Sequence, residues 1–202
     1  MAKPSWLNLN PSTGSGNGTI ANSASAHTGR TARTGTVTIT GVGVSTPATY
    51  KVTQTPKSEF ASFDNGAEMS APKATGTVTV EGKTNSQKPT FAWADSVSDV
   101  TIPAKYSANG TQTDNAASIT GDPGATAEFP FSIELEFPAN ETIEEVVRTL
   151  KVTANGGQAV QIAIKQAAGD AKLSVSPTEI TIPQNGSAVS VTVTSNTSWT
   201  AA

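Results

Sequence analysis

Threonine or serine recurs at every second position in three separate stretches, and that period suits one kind of backbone. Thr34, Thr36, Thr38 and Thr40 alternate with Gly35, Val37 and Ile39; Thr75, Thr77 and Thr79 alternate with Gly76, Val78 and Val80. Near the C-terminus Val189, Val191 and Val193 alternate with Ser190, Thr192 and Thr194. Successive side chains of an extended chain point to opposite faces, so each stretch buries aliphatic carbon on one side and shows hydroxyls on the other. That is the pattern of a half-buried antiparallel strand. Similar patterning predicts strands over residues 19–26, 48–54, 128–137, 150–154, 159–166 and 179–182. Residues 141–148 alone have the composition for a helical turn. Turn formers punctuate the strands: the glycine-rich 13–18, Asn65–Gly66, Asn109–Gly110, Asp122–Gly124, Asn155–Gly157 and Asn185–Gly186. Many short strands at this spacing give an all-β fold of tandem Ig-like sandwiches.

Composition narrows the chemistry. Of 202 residues, 36% are hydrophobic and 5% aromatic, so the core is thin. The net charge of -3 argues against a nucleic-acid binder, which carries a basic stripe. No apolar run approaches the roughly 18 residues of a membrane span, so no membrane partner is expected. The absence of cysteine removes disulfides, thiolate catalysis and thiolate metal sites together. A single histidine, His27, has no evident nucleophile to activate. No enzymatic activity, cofactor or metal site is expected.

The side chains that could have suggested otherwise have simpler readings. Asp95, Asp99, Asp114 and Asp122 lie in or near loops, but their spacing matches no calcium loop. Glu134 and Glu136 alternate with Ile133, Leu135 and Phe137, which marks the wet face of a strand rather than a glycosidase pair. Residues 14–18 lack the Lys-Ser/Thr ending of a phosphate loop. Phe91 and Trp93 share one strand face and read as core. His27, Arg30 and Arg33 form the densest positive patch, a candidate contact for an acidic partner surface.

An internal repeat organises the chain. Arg33 opens a strand that returns through Tyr50 and Val52 to Gln54, and Arg148 opens one that returns through Ile162 and Ile164 to Gln166. Residues 55–58 and 167–170 then read as linkers. Three pieces follow: 1–57, a half-module; 58–171, a complete module with an insertion around 98–121; and 172–202, a second half-module.

The terminal pieces carry a resemblance. Leu173 to Ile182, Gly186, Val189 to Asn196 and Ser198–Trp199 resemble the opening of a BACON domain, the Bacteroidetes-associated Ig-like module. Residues 5–18, with Arg33 to Gln54, resemble that module's second half. Written tail to head, residues 196–202 followed by 4–12 read as one uninterrupted module. The resemblance implies that Trp6, Leu7, Leu9, Val191, Val193 and Trp199 converge on a shared seam core. Trp6 and Trp199 are alternatively sugar-stacking platforms, since BACON modules have been proposed to bind carbohydrate.

Neither half buries its own apolar face, and both expose strand edges that invite pairing. A linker over 167–171 reaches about 17 Å at about 3.5 Å per residue, short of the roughly 35–40 Å of a sandwich. Exchange between copies is therefore expected, with residues 172–202 of one completing 1–57 of the next; closure within one chain requires the central module to fold back. BACON-like modules also occur in crAss-like tailed phages, and the chain is similar to their auxiliary capsid or head-decoration proteins. That similarity implies a structural virion protein on the capsid surface, partnered by the major capsid protein and by further copies of itself. The opening Lys3, Pro4 and Ser5 do not begin a secretory signal, so synthesis in the host cytoplasm without a signal peptide is expected. A carbohydrate-binding surface module, with glycans as partner, is the alternative.

Overall fold

The computed structural model describes residues 3–97, 99–120 and 124–202, and no helix occurs among them. The N-terminal part consists of two hairpins. Strands β1 (Leu7–Asn10) and β2 (Ala21–Ala24) pair antiparallel with Leu7 opposite Ala24. Strands β3 (Arg33–Ile39) and β4 (Ala48–Gln54) pair antiparallel with Arg33 opposite Gln54. Tyr50 Oη donates to Asn22 Oδ1 at 2.8 Å, tying one hairpin to the other. Among the described residues of this part only Leu7 and Val37 are fully buried apolar side chains. The alternation is real, but little covers it.

Nine strands build the central sandwich: β5 (Ala61–Phe63), β6 (Glu68–Ala71), β7 (Gly76–Thr84), β8 (Thr90–Trp93), β9 (Lys105–Ala108), β10 (Thr111–Asp114), β11 (Phe129–Phe137), β12 (Val146–Thr153) and β13 (Ala159–Gln166). One sheet runs β10-β9-β11-β7-β5 and the other β6-β13-β12-β8. All neighbours are antiparallel except β6, which lies parallel to β13. The period-two pattern of β7 sends Val78 and Val80 inward, where they meet Ile133 and Leu135 of β11 and, from the facing sheet, Leu150, Val152, Ile162 and Ile164. Phe91 is buried and Trp93 packs beside it, its indole N–H donating to Val100 O at 2.7 Å. Glu134 and Glu136 face outward as the alternation requires. The insertion supplies the β9–β10 hairpin, which adds to the sheet edge beside β11.

The C-terminal part is one antiparallel hairpin, β14 (Leu173–Ser176) with β15 (Thr192–Ser195). Among the described residues it joins no other sheet. Leu173, Val175, Ile182 and Trp199 are exposed.

Two local expectations need correction. Residues 141–148 form no helical turn; Val146–Arg148 instead begin β12, paired with Gln166–Ile164 of β13. Residues 179–182 form no strand, because a strand needs a neighbour for its backbone groups and none lies beside them here. For the same reason β15 begins only at Thr192, although the alternating stretch 189–194 predicts a strand from Val189.

Candidate functional site: two equivalent junctions and two open half-modules

Asn85 organises the junction between the N-terminal part and the central sandwich. It is fully buried, so every polar atom of its amide needs a partner. Its Oδ1 accepts from Phe60 N at 2.8 Å, and its Nδ2 donates to Ser58 O at 3.1 Å and Ala125 O at 2.9 Å. Next to it, Thr84 Oγ1 donates to Phe60 O at 2.6 Å and accepts from Ser86 N at 2.9 Å. The preceding part is held by Arg30, which donates to Asn85 O and pairs with Glu59, and within it Lys57 N donates to Gly29 O at 2.9 Å. Gly29 in turn sits in a turn made by His27, whose Nδ1 accepts from Gly29 N while Nε2 donates to Thr31 O.

The junction between the central sandwich and the C-terminal hairpin repeats most of this set, with Glu141 O, at the position of Thr28, in place of Ala125 O. Asn196 Oδ1 accepts from Lys172 N at 2.8 Å, and its Nδ2 donates to Asp170 O and Glu141 O, each at 2.9 Å. Ser195 Oγ donates to Lys172 O at 3.0 Å and accepts from Thr197 N at 3.0 Å. Gly169 N donates to Thr142 O at 2.7 Å. Asn140 takes the place of His27: its Oδ1 accepts from Thr142 N and its Nδ2 donates to Glu144 O. Residues 57–60 thus correspond to 169–172, 84–86 to 195–197, and 27–31 to 140–144.

A second duplicated device clasps each hairpin pair. Arg33 Nε and Nη2 donate to Gln54 Oε1 at 3.0 and 2.8 Å, and the guanidinium lies 4.7 Å over the Trp6 ring. Arg148 Nη1 donates to Gln166 Oε1 at 3.0 Å, its guanidinium 5.3 Å over the Phe137 ring. Arg148 also forms a forked ion pair with Asp99, and that bond holds the Asp99 carboxyl below the usual aspartate range. The two clasps differ in their amide nitrogens. Gln166 Nε2 donates to Pro72 O, just beyond β6, at 3.1 Å and to Pro138 O, just beyond β11, at 2.7 Å. Gln54 Nε2 donates to Ser25 O at 2.8 Å, the counterpart of the second bond, and among the described residues no counterpart of the first is present.

The seam residues expected from the sequence are not brought together in one chain. Leu7 is buried, Trp6 and Leu9 half-buried, all within the N-terminal part. Val193 is half-buried, and Val191 and Trp199 are exposed, all in the C-terminal part. Trp199 instead borders a cleft with Ile143 and Ser195 to Ser198.

The positive patch also reads differently in three dimensions. Arg30 Nε lies 3.3 Å from Glu59 Oε1 and its Nη2 donates to Asn85 O, with only 12% of its side chain exposed. Arg33 serves the Gln54 clasp, and His27 shapes its own turn. These groups are spent inside the chain, because the junction needs charge and donors where the sequence suggested a free surface. The three described loop aspartates stay apart in their roles: Asp95 accepts from Thr149 N, Asp99 pairs with Arg148, and Asp114 pairs with Lys105. Asp122 lies outside the described residues.

Sequence reasoning missed the Asn85 and Asn196 latches. Their signal was available: both asparagines stand between two hydroxyl residues, Thr84 and Ser86 in one case, Ser195 and Thr197 in the other.

No curated protein matches the chain. Among solved structures, the major pilin subunit of Bacillus cereus aligns at 13% identity over 96% of this chain and 68% of its own, with a TM-score of 0.33. Residues 2–56 match the family model of the viral BACON domain. The N-terminal part, with its Arg33–Gln54 clasp, is therefore a BACON-like module of the kind found in viral proteins.

Proposed function

We propose that this chain is a structural virion protein, an auxiliary capsid or head-decoration protein of a tailed phage, that ties neighbouring subunits together through its terminal half-modules. The observation that carries this reading is the pair of equivalent junctions. At one junction Arg30 of the N-terminal half-module pairs with Glu59 and donates to the backbone oxygen of Asn85; at the other Asn196 of the C-terminal hairpin donates to Asp170 O and Glu141 O, and the apolar side chains of that hairpin remain uncovered. Unpaired strand edges beside exposed Leu173, Val175 and Ile182 are a liability unless another chain covers them. Head-to-tail contact between unlike surfaces builds rings or filaments, which suits a layer over a shell. No catalysis, cofactor, nucleic acid or membrane enters this role. The major capsid protein is the underlying partner, and the capsid surface is the location.

The test is twofold. Sedimentation of the recombinant chain at micromolar concentration is expected to show self-association, and imaging of virions is expected to place the chain on the head exterior. A compact monomer together with an undecorated head would overturn the reading. Trp199, 54% exposed beside the hydroxyls of Ser195 and Ser198, supports a second reading as a sugar-stacking platform. Saturable binding on a glycan array, abolished by Trp199→Ala, would favour it.

A further inference from the structure

The central sandwich holds both halves of a module in one chain, so it shows how separate halves would fit. Beyond the latches, residues 68–85 and 179–196 align without a gap: Glu68 with Glu179, Met69 with Ile180, Ala71 with Ile182, Pro72 with Pro183, Val78 with Val189, Val80 with Val191 and Asn85 with Asn196. In the sandwich, β6 lies parallel to β13 with Ala71 beside Gln166 and Ser70 beside Lys165, and Pro72 O takes the amide of Gln166. In the N-terminal part β4 is the counterpart of β13; among the described residues its outer edge has no such neighbour, and Gln54 lacks that second bond.

We infer that residues 179–183 of one copy add as a parallel strand to β4 of a second copy, with Thr181 beside Thr53, Ile182 beside Gln54, and Pro183 O accepting from Gln54 Nε2. In this register Ile180 and Ile182 turn to the same face as Val52, as Met69 and Ala71 do with Ile164.

The loops agree. At the first junction the β12–β13 loop seats Asn155 in a cleft with Arg30 and Glu59, donating from its backbone N–H to Ser86 Oγ at 2.9 Å. At the second junction a cleft borders Ile143, which stands at the position of Arg30, and the position of Glu59 holds Ala171. The loop due to fill it, residues 40–47 between β3 and β4, carries Val42 and Val44 instead of the polar Asn155, and both are exposed. The charged pair Arg30 and Glu59 is replaced by uncharged Ile143 and Ala171, and the polar loop residue Asn155 by Val42 and Val44, so both sides lose polar character at these positions while Ser195 to Ser198 keep hydroxyls and an amide in the cleft.

The occupant is a second copy because the two junctions lie at opposite ends of the sandwich. Thr84 and Asn85 mark one end of β7, while Gly76, opposite Phe137, marks the other, where Lys73 reaches Asp170 at 2.5 Å. Nine residues of strand separate them by roughly 30 Å, and Asn196 pins the hairpin to the far end.

This inference rests on the subunit-tying role and fixes its register. The chain has no cysteine, so introduced ones report cleanly. Chains carrying Thr53→Cys are mixed with chains carrying Thr181→Cys and oxidised. The expected result is a disulfide-linked dimer, with loss of the monomer band on a non-reducing gel, because neighbouring strands bring Cα atoms into bonding range. Lys51→Cys mixed with Thr181→Cys is expected to give no link. Association by sedimentation with links in another register would overturn this inference and leave the tying role standing. A monomer without links would overturn both, and a Thr53→Cys/Thr181→Cys double variant that links only within its own chain would overturn the second copy as occupant.

Discussion

Gln54 accepts two N–H groups of Arg33 on one carbonyl oxygen, while Gln166 accepts one from Arg148 and gives both its amide hydrogens to carbonyls of neighbouring loops. The second clasp is fully buried and complete; the first is half-buried and lacks one bond. Gln166→Leu is expected to lower the stability of the central sandwich by about 3–5 kcal/mol, since it leaves Arg148 with less compensation and two carbonyls unpaired. Gln54→Leu is expected to spare the sandwich and remove hydrogen-exchange protection from β3 and β4 alone. Denaturant unfolding followed by Trp93 fluorescence, with exchange measured on both variants, separates the two; equal loss of sandwich stability would contradict the reading.

Asp99 gives the fold an acid limit. Its carboxyl titrates below the unfolded value because Arg148 hydrogen-bonds and attracts the charged form. A depressed carboxylate contributes stability that is present above the unfolded pKa, about 3.9, and is lost as pH falls through the lower folded value. Midpoints of thermal unfolding are expected to decline below about pH 4. Asp99→Asn is expected to be less stable at pH 7 and flatter across that window. With the Asp99 side chain 47% exposed, the effect is modest.

Tyr106 sets an alkaline limit by a different route. Its ring is buried against Phe91, centroids 4.8 Å apart, and its hydroxyl has no hydrogen-bond partner among the described residues. Burial pushes its pKa up to about 12. The unfolded chain ionises near pH 10, so the tyrosine's share of stability is intact below that value and is lost as pH rises toward 12. Tyr106→Phe is expected to remove this alkaline decline and to leave neutral-pH stability unchanged or slightly raised, because an unpaired buried hydroxyl is lost. Absorbance titration of the phenolate against thermal midpoints checks it.

What could be read from the sequence was what depends on neighbours along the chain. The alternation of Val78 and Val80 with threonines, and of Ile133 and Leu135 with glutamates, is local geometry, and β7 and β11 form where it predicts. Arg33 with Gln54 and Arg148 with Gln166 were visible as a repeat because each clasp joins the two strands of one hairpin. Residues 179–182 carry the same alternation yet form no strand, since the missing ingredient is a neighbour rather than a pattern. The surroundings of the positive patch were hidden for a related reason: Arg30 is engaged by Glu59 and by the carbonyl of Asn85, and sequence distance hides both contacts.

Asn85 and Asn196 make bonds that differ in one acceptor, Ala125 O against Glu141 O, and in their surroundings, and that difference is measurable. Asn85 is fully buried, whereas the bonds of Asn196 lie at an exposed surface. Asn85→Ala leaves Phe60 N, Ser58 O and Ala125 O to find other partners in a dry site, at about 2–4 kcal/mol for the sandwich as a whole. Asn196→Ala loses the corresponding bonds where water replaces them, so the sandwich is expected to unfold within about 0.5 kcal/mol of the parent. The hairpin itself, however, loses its anchor to Asp170 and Glu141. In the Asn196→Ala chain, amide protection of Leu173 to Ser176 is expected to fall to that of an unstructured segment while β11 and β13 keep theirs. Self-association should weaken with it, because a second copy would then have to order the hairpin before docking. Unchanged exchange at β14 together with unchanged association would show that the Asn196 latch does not hold the hairpin in place.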